Sequence, residues 1–136
     1  MRTVGLGLVL VAGFWASLWS PGATAHIVYG TKTIHGFVAE SDLVLPRLHG
    51  LSPFQGTELN FLLRNLGVKT IVGVGVSVNV AIQSFAFDAV NAGYQMVIPR
   101  DAVAGFPAEY VDAVFANTLG AVASLVRSEE ILAIWS

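Results

Sequence analysis

Lys69-Thr-Ile-Val-Gly-Val-Gly-Val-Ser-Val-Asn-Val-Ala-Ile-Gln-Ser-Phe-Ala-Phe-Asp-Ala-Val-Asn-Ala-Gly93 is the stretch from which the rest of the chain can be placed. Thr70, Ile71, Val72, Val74 and Val76 form a β-branched apolar run, which suits a strand buried on both faces. Gly73 and Gly75 then let the backbone pass close to a neighbour, and Asn79 is suited to cap a helix that starts there. Gly93 stops that helix. A strand that hands its carboxyl end to a helix amino terminus is where open α/β sheets hold their ligands, because free N–H groups and the helix dipole converge there.

Working outward, residues 42–46 predict a strand ended by Pro46, and residues 47–56 predict a loop. Thr57 is placed to cap a helix with Glu58 in its first turn, where a carboxylate suits the dipole. Leu59, Leu62, Leu63 and Leu66 give that helix an apolar face, and Gly67 ends it. In the second unit, residues 80–92 turn Ile82, Phe85, Ala86, Ala89 and Val90 toward a sheet, and residues 94–99 follow as a strand. Pro107 fits the start of a third helix over residues 108–126, with Val111, Val114, Phe115, Thr118, Val122 and Leu125 inward. Residues 131–135 close the chain as a strand or short helix. Two successive helix-then-strand steps with short links predict a parallel, three-layer α/β domain with helices on both faces of the sheet.

The chain has 136 residues, room for one domain with one core. It is 54% hydrophobic and 12% charged with a mean hydropathy of +0.69, an apolar composition to which residues 1–19 contribute. Net charge is -2 and the basic residues are scattered, so nucleic acid is not an expected partner. There is no Cys, which excludes a disulfide scaffold and a thiolate metal site. The amino-terminal segment, residues 1–25, has the parts of a secretory signal: Arg2, an apolar run from Val4 to Trp19, a Ser20-Pro-Gly break and a small-residue Ala23-Thr-Ala25 motif. Uncleaved, that run would be a membrane anchor, although it is short for a span. The competing reading makes it part of the fold, with Val4 to Ala12 as a central strand. Residues 26–41 read as a connector or short hairpin, with strand fragments around Gly30.

Gly75-Val-Ser-Val-Asn-Val-Ala81, with Ser84, Ala86, Asp88-Ala89 and Gly93-Tyr94, resembles the signature of isochorismatase-like cysteine hydrolases. The likeness extends through Ser52-Pro-Phe-Gln-Gly-Thr57 and Pro99-Arg-Asp-Ala102, and covers residues 42–136 as one domain. It implies a Rossmann-like parallel sheet in the order 3-2-1-4-5-6, incomplete here at the amino terminus because strands 1 and 2 have no evident match. It implies cytoplasmic localisation, with export through residues 1–25 as the alternative, and association between copies. It also implies a cis peptide bond between Val76 and Ser77, and a nucleophilic cysteine at the position of Ala81. The family's lysine position falls on Arg47 or Leu48. Its aspartate should lie on the first strand, and residues 1–41 contain no Asp. Pocket residues implied by the resemblance are Leu48, Phe54, Gly75, Val76, Ser77, Val78, Asn79 and Ala81, together with Leu51 and Phe85.

Other chemistries fit poorly. Gly73-x-Gly75 has Val78 where a dinucleotide motif needs its third glycine. Gly75-Val-Ser77-Val-Asn79 lacks the last glycine of a nucleophile elbow, and no His follows Ser77. Ser77 therefore reads as a turn residue. His26, His35 and His49 are too far apart to form a helical metal pair, so neither a metal nor any other cofactor is expected. Arg47, His49 and Asp101 are the polar groups left to assist catalysis, and Asp101 is expected to brace the loop that follows it. The leading expectation is a non-catalytic domain with a small-molecule or assembly role. The alternative is a thiol-independent hydrolase of a small amide, ester or vinyl ether, and a purely structural exported domain is a third reading.

Overall fold

Glycine stops mark the ends of the first two helices. The computed structural model describes residues 27–30, 43–46 and 50–135. In it α1, Leu59–Asn65, and α2, Gln83–Asn91, each run into a glycine with positive φ, 69° at Gly67 and 83° at Gly93. Val68 N–H returns to the Leu63 carbonyl at 3.0 Å and Tyr94 N–H to the Ala89 carbonyl at 3.0 Å. Those bonds satisfy carbonyls that a helix end otherwise leaves unpaired, and a left-handed residue is needed to make them. At the other end of α1 the cap position is taken by Glu58 and not, as expected, by Thr57, which lies one residue earlier; its hydroxyl accepts the Leu59 N–H at 3.2 Å while donating to the Pro53 carbonyl.

The strands are β1 (Ile27–Gly30), β2 (Leu43–Pro46), β3 (Thr70–Val72), β4 (Gly75–Val76), β5 (Gln95–Pro99), β6 (Val103–Ala104) and β7 (Ser124–Val126). Every ladder among the described residues is parallel: β1 with β2, β3 with β5 and β5 with β7, β4 with β6. The expected α/β architecture is therefore present, as parallel strands flanked by helices. The predicted strand over residues 70–76 is split. Its first half pairs with β5 and its second with β6, with Gly73 and Val74 carrying the chain from one neighbour to the other.

Ile27–Gly30, a strand fragment as expected, forms a parallel pair with Leu43–Pro46, in register Ile27 with Leu43, while residues 31–42 lie outside the described residues. A parallel partner requires a crossover, which a tight turn cannot supply. Two further expectations are corrected. The third helix ends early. It runs as α3 (Ala108–Val114), a π-helical stretch Phe115–Leu119 and α4 (Gly120–Val122), and then Ser124–Val126 is a strand whose Leu125 pairs with Ile98. Leu66 and Val90 are exposed where they were expected to face inward, because Leu66 lies past the end of α1 and Val90 falls outside the stripe formed by Ile82, Phe85, Ala86 and Ala89. The chain ends in α5, Ser128–Trp135.

Phe85, Leu59, Leu63, Ile71, Ile82, Ile98 and Leu119 are fully buried and form one core with Val78, Phe115 and Met96. No helix among the described residues is long and apolar enough to cross a membrane. The proposed signal, anchor or strand within residues 1–25 lies outside the described residues, as do His26 and His35.

Candidate functional site

The site is built where β4 gives way to the helix over residues 78–91. Gly75, at φ 122°, donates its N–H to the Ala102 carbonyl at 3.1 Å, a geometry that a residue with a Cβ rarely adopts. The Val76–Ser77 peptide bond is cis, as the family resemblance implied. Ser77 takes extended backbone, and its carbonyl accepts the Val80 N–H at 3.3 Å and the Ile82 N–H at 2.9 Å. The Ile82 bond spans five residues, so the helix begins with a π-helical turn, Val78–Ile82, before settling into α2. Val78 and Ile82 point into the core, Ala81 is partly buried against it, and Val80 is 41% exposed.

Asn79 does not cap this helix. It lies inside the first turn, and no side-chain bond is made at the cap position. Its amide Nδ2 donates instead to the Phe106 carbonyl at 3.4 Å, and its Oδ1 is buried with no hydrogen-bond partner among the described residues. The pairing of β4 with β6 brings this loop over the helix start, so that a methyl group at Gly105 would sit 2.9 Å from Asn79 Oδ1 and 3.3 Å from the Val78 nitrogen. Gly105 and Phe106 are thus part of the site's rim, although no sequence motif singled them out. Gly105-Phe-Pro107 reads as an ordinary turn into a helix, and only the pairing of residues 103–104 with residues 75–76 places it here.

The Ser52-to-Thr57 segment lies further along the same helix. Ser52 is buried and its hydroxyl accepts the Phe54 N–H at 3.3 Å. Phe54 packs its ring on Phe85, centroids 5.7 Å apart, and on Tyr94 at 5.9 Å, while Gln55 donates to the Asp88 carboxylate at 3.3 Å. Phe54 therefore contacts the helix one turn beyond Ala81, and Leu51 is exposed. Arg47, Leu48 and His49 lie outside the described residues.

Asp101 has a different partner from the one expected. Its carboxylate accepts both the N–H of Ser128 at 2.9 Å and the Ser128 hydroxyl at 3.1 Å, so it braces the start of α5 and not the loop that follows it. The Ser128 N–H is the main cause that holds the Asp101 carboxyl below its ordinary value, and the Ser128 hydroxyl and the Arg127 charge add to it.

The comparisons with known proteins agree with this geometry. A family model described as the isochorismatase domain matches residues 21–130. The chain belongs to the isochorismatase family. It is 35% identical over 79 residues to the isochorismatase family protein YecD of Escherichia coli O157:H7, an alignment covering 58% of this chain and 42% of YecD. An isochorismatase-like hydrolase from Alkaliphilus metalliredigens superposes with a TM-score of 0.73 at 22% identity, covering 82% of this chain and 69% of that one. A nicotinamidase from Bacillus subtilis superposes with a TM-score of 0.56 at 28% identity, covering 65% of this chain and 49% of that one. The chain thus spans less than half the length of the curated relatives it matches.

Proposed function

We propose that this isochorismatase-family domain is non-catalytic and keeps the start of the 78–91 helix as a pocket for a small, weakly polar molecule or as an assembly surface. One observation carries the reading: Ala81 stands where the family resemblance places the nucleophilic cysteine, in a chain with no Cys at all. A methyl group cannot attack a carbonyl, and no other thiol is present to replace it. The remaining polar assistants are weak. Asp101 is occupied as an acceptor for Ser128. Arg47, as an arginine, holds its proton too firmly to shuttle one. Among the three proposed assistants, only His49 has a proton affinity suited to activating water.

The second reading follows from that residue. Family neighbours include enzymes named for amide hydrolysis, and the first-turn N–H groups of the helix could polarise an oxyanion while His49 activates a water. The full chain incubated with nicotinamide, used as an aromatic amide probe, decides between the two. No ammonia release above buffer is expected. Ala81→Cys is expected to become alkylated by iodoacetamide without gaining turnover, because the family's lysine position falls on Arg47 or Leu48 and residues 1–41 hold no aspartate. Turnover by the unaltered chain that survives iodoacetamide and disappears in His49→Ala would overturn the non-catalytic reading in favour of water-mediated hydrolysis.

A further inference from the structure

The turn over residues 99–102 is tied on two sides. Toward the carboxyl terminus, Arg100 N–H donates to the Val126 carbonyl at 2.9 Å and Asp101 accepts both donors of Ser128, the first residue of α5. Toward the site, the Ala102 carbonyl accepts the Gly75 N–H at 3.1 Å, and the next two residues pair with Gly75 and Val76. The turn is closed on itself by the Ala102 N–H, which donates to the Pro99 carbonyl at 3.0 Å. From β6 the chain passes directly to Gly105, packed on the Val78 nitrogen, and to Phe106, whose carbonyl is held by Asn79.

We propose that Asp101 is a positioning residue through which α5 acts as a strap on the rim of the candidate site. Ser128 fixes the Asp101 carboxylate, the short turn transmits that constraint to β6, and β6 fixes where Gly105 and Phe106 sit over the start of the 78–91 helix. Displacing α5 loosens that rim without touching the helix itself. A bond to an ionised carboxylate is stronger than a neutral one, and Asp101 is the side chain that ties the turn to α5, whereas its neighbour Arg100 reaches Asp112 at 3.6 Å and the Phe115 ring. The consequence for ligand binding rests on the proposed function, whereas the mechanical coupling does not.

Amide hydrogen exchange on the full chain tests the coupling without any ligand. Asp101→Ala is expected to lower protection by about tenfold at Gly75 and across residues 103–106, while amides of α2 keep theirs. Asp101→Asn retains an oxygen acceptor for Ser128 and is expected to stay within about threefold of the unaltered chain. Ser128→Ala removes only the hydroxyl and should fall between the two, so it decides the matter if Asp101→Ala fails to fold. Loosening confined to residues 127–135 would overturn the proposal. So would uniform loosening that includes α2, which would mean that Asp101 serves overall stability alone.

Discussion

A single methyl group at Gly105 would lie 2.8 Å from Val111 Cγ2, 2.9 Å from Asn79 Oδ1 and 3.3 Å from the Val78 nitrogen. Val111 is a branched side chain on a helix and cannot swing aside, so Gly105→Ala should cost about 1–3 kcal/mol, the usual range for overpacking. Urea denaturation measures this, and a midpoint equal to that of the unaltered chain would show that the rim yields freely. Asp101 adds a pH dependence. Its folded pKa lies below the ordinary value because Ser128 donates to its charged form. The stability from this bond is therefore present above the usual carboxylate range and is lost as pH falls through the depressed folded value. Asp101→Asn is expected to flatten the acid limb of a stability-versus-pH curve, and an unchanged limb would remove Asp101 from the account. Ala81 was legible from residue identities alone, whereas the Asp101 partner was not, since Ser128 lies 27 residues away.

At the scale of elements, the 78–91 helix shows how far periodicity reaches. Ile82, Phe85, Ala86 and Ala89 recur at helical spacing and all are buried, while Phe87, one residue off the stripe, is 37% exposed. Phe85→Ala is therefore expected to cost about 3–5 kcal/mol, and Phe87→Ala much less, both read by thermal or urea unfolding. Equal costs would mean that the helix is rotated from the orientation described. The same periodicity misled the reading of residues 124–126. No glycine or proline separates them from the preceding helix, and Ser124, Leu125 and Val126 continue its apolar pattern. Pairing with Val97–Pro99 overrides that local preference, because laying residues 124–126 along β5 extends the parallel ladder, a long-range gain that helical spacing does not register. The strand fragment expected before Gly30 is present at Ile27–Gly30, but its described partner, Leu43–Pro46, was not legible because it lies 16 residues on.

Over the whole molecule, the distribution of apolar surface bears on assembly. Phe61, Phe106 and Ile134 are 72%, 85% and 75% exposed, and the chain carries few charges to keep copies apart. Association between copies is the expected behaviour, and sedimentation velocity at micromolar concentration checks it. A monomer that stays soluble at those concentrations would count against an assembly role and leave the pocket reading. Intact mass adds a separate test of residues 1–25, since a product starting at His26 would establish that the signal-like segment is removed.

The α/β class, the glycine stops, the buried face of the 78–91 helix, the family resemblance and the absence of a thiol nucleophile follow from the order of residues alone. These depend on residue identity and on spacings of a few positions, which local physics reads directly. Tertiary structure alone decided that β4 leaves β3's neighbour to pair with β6, that Gly105 and Phe106 border the helix start, and that Asp101 reaches Ser128. Each of these joins residues more than twenty positions apart, where the outcome is set by which strands lie side by side and not by any preference the residues carry on their own.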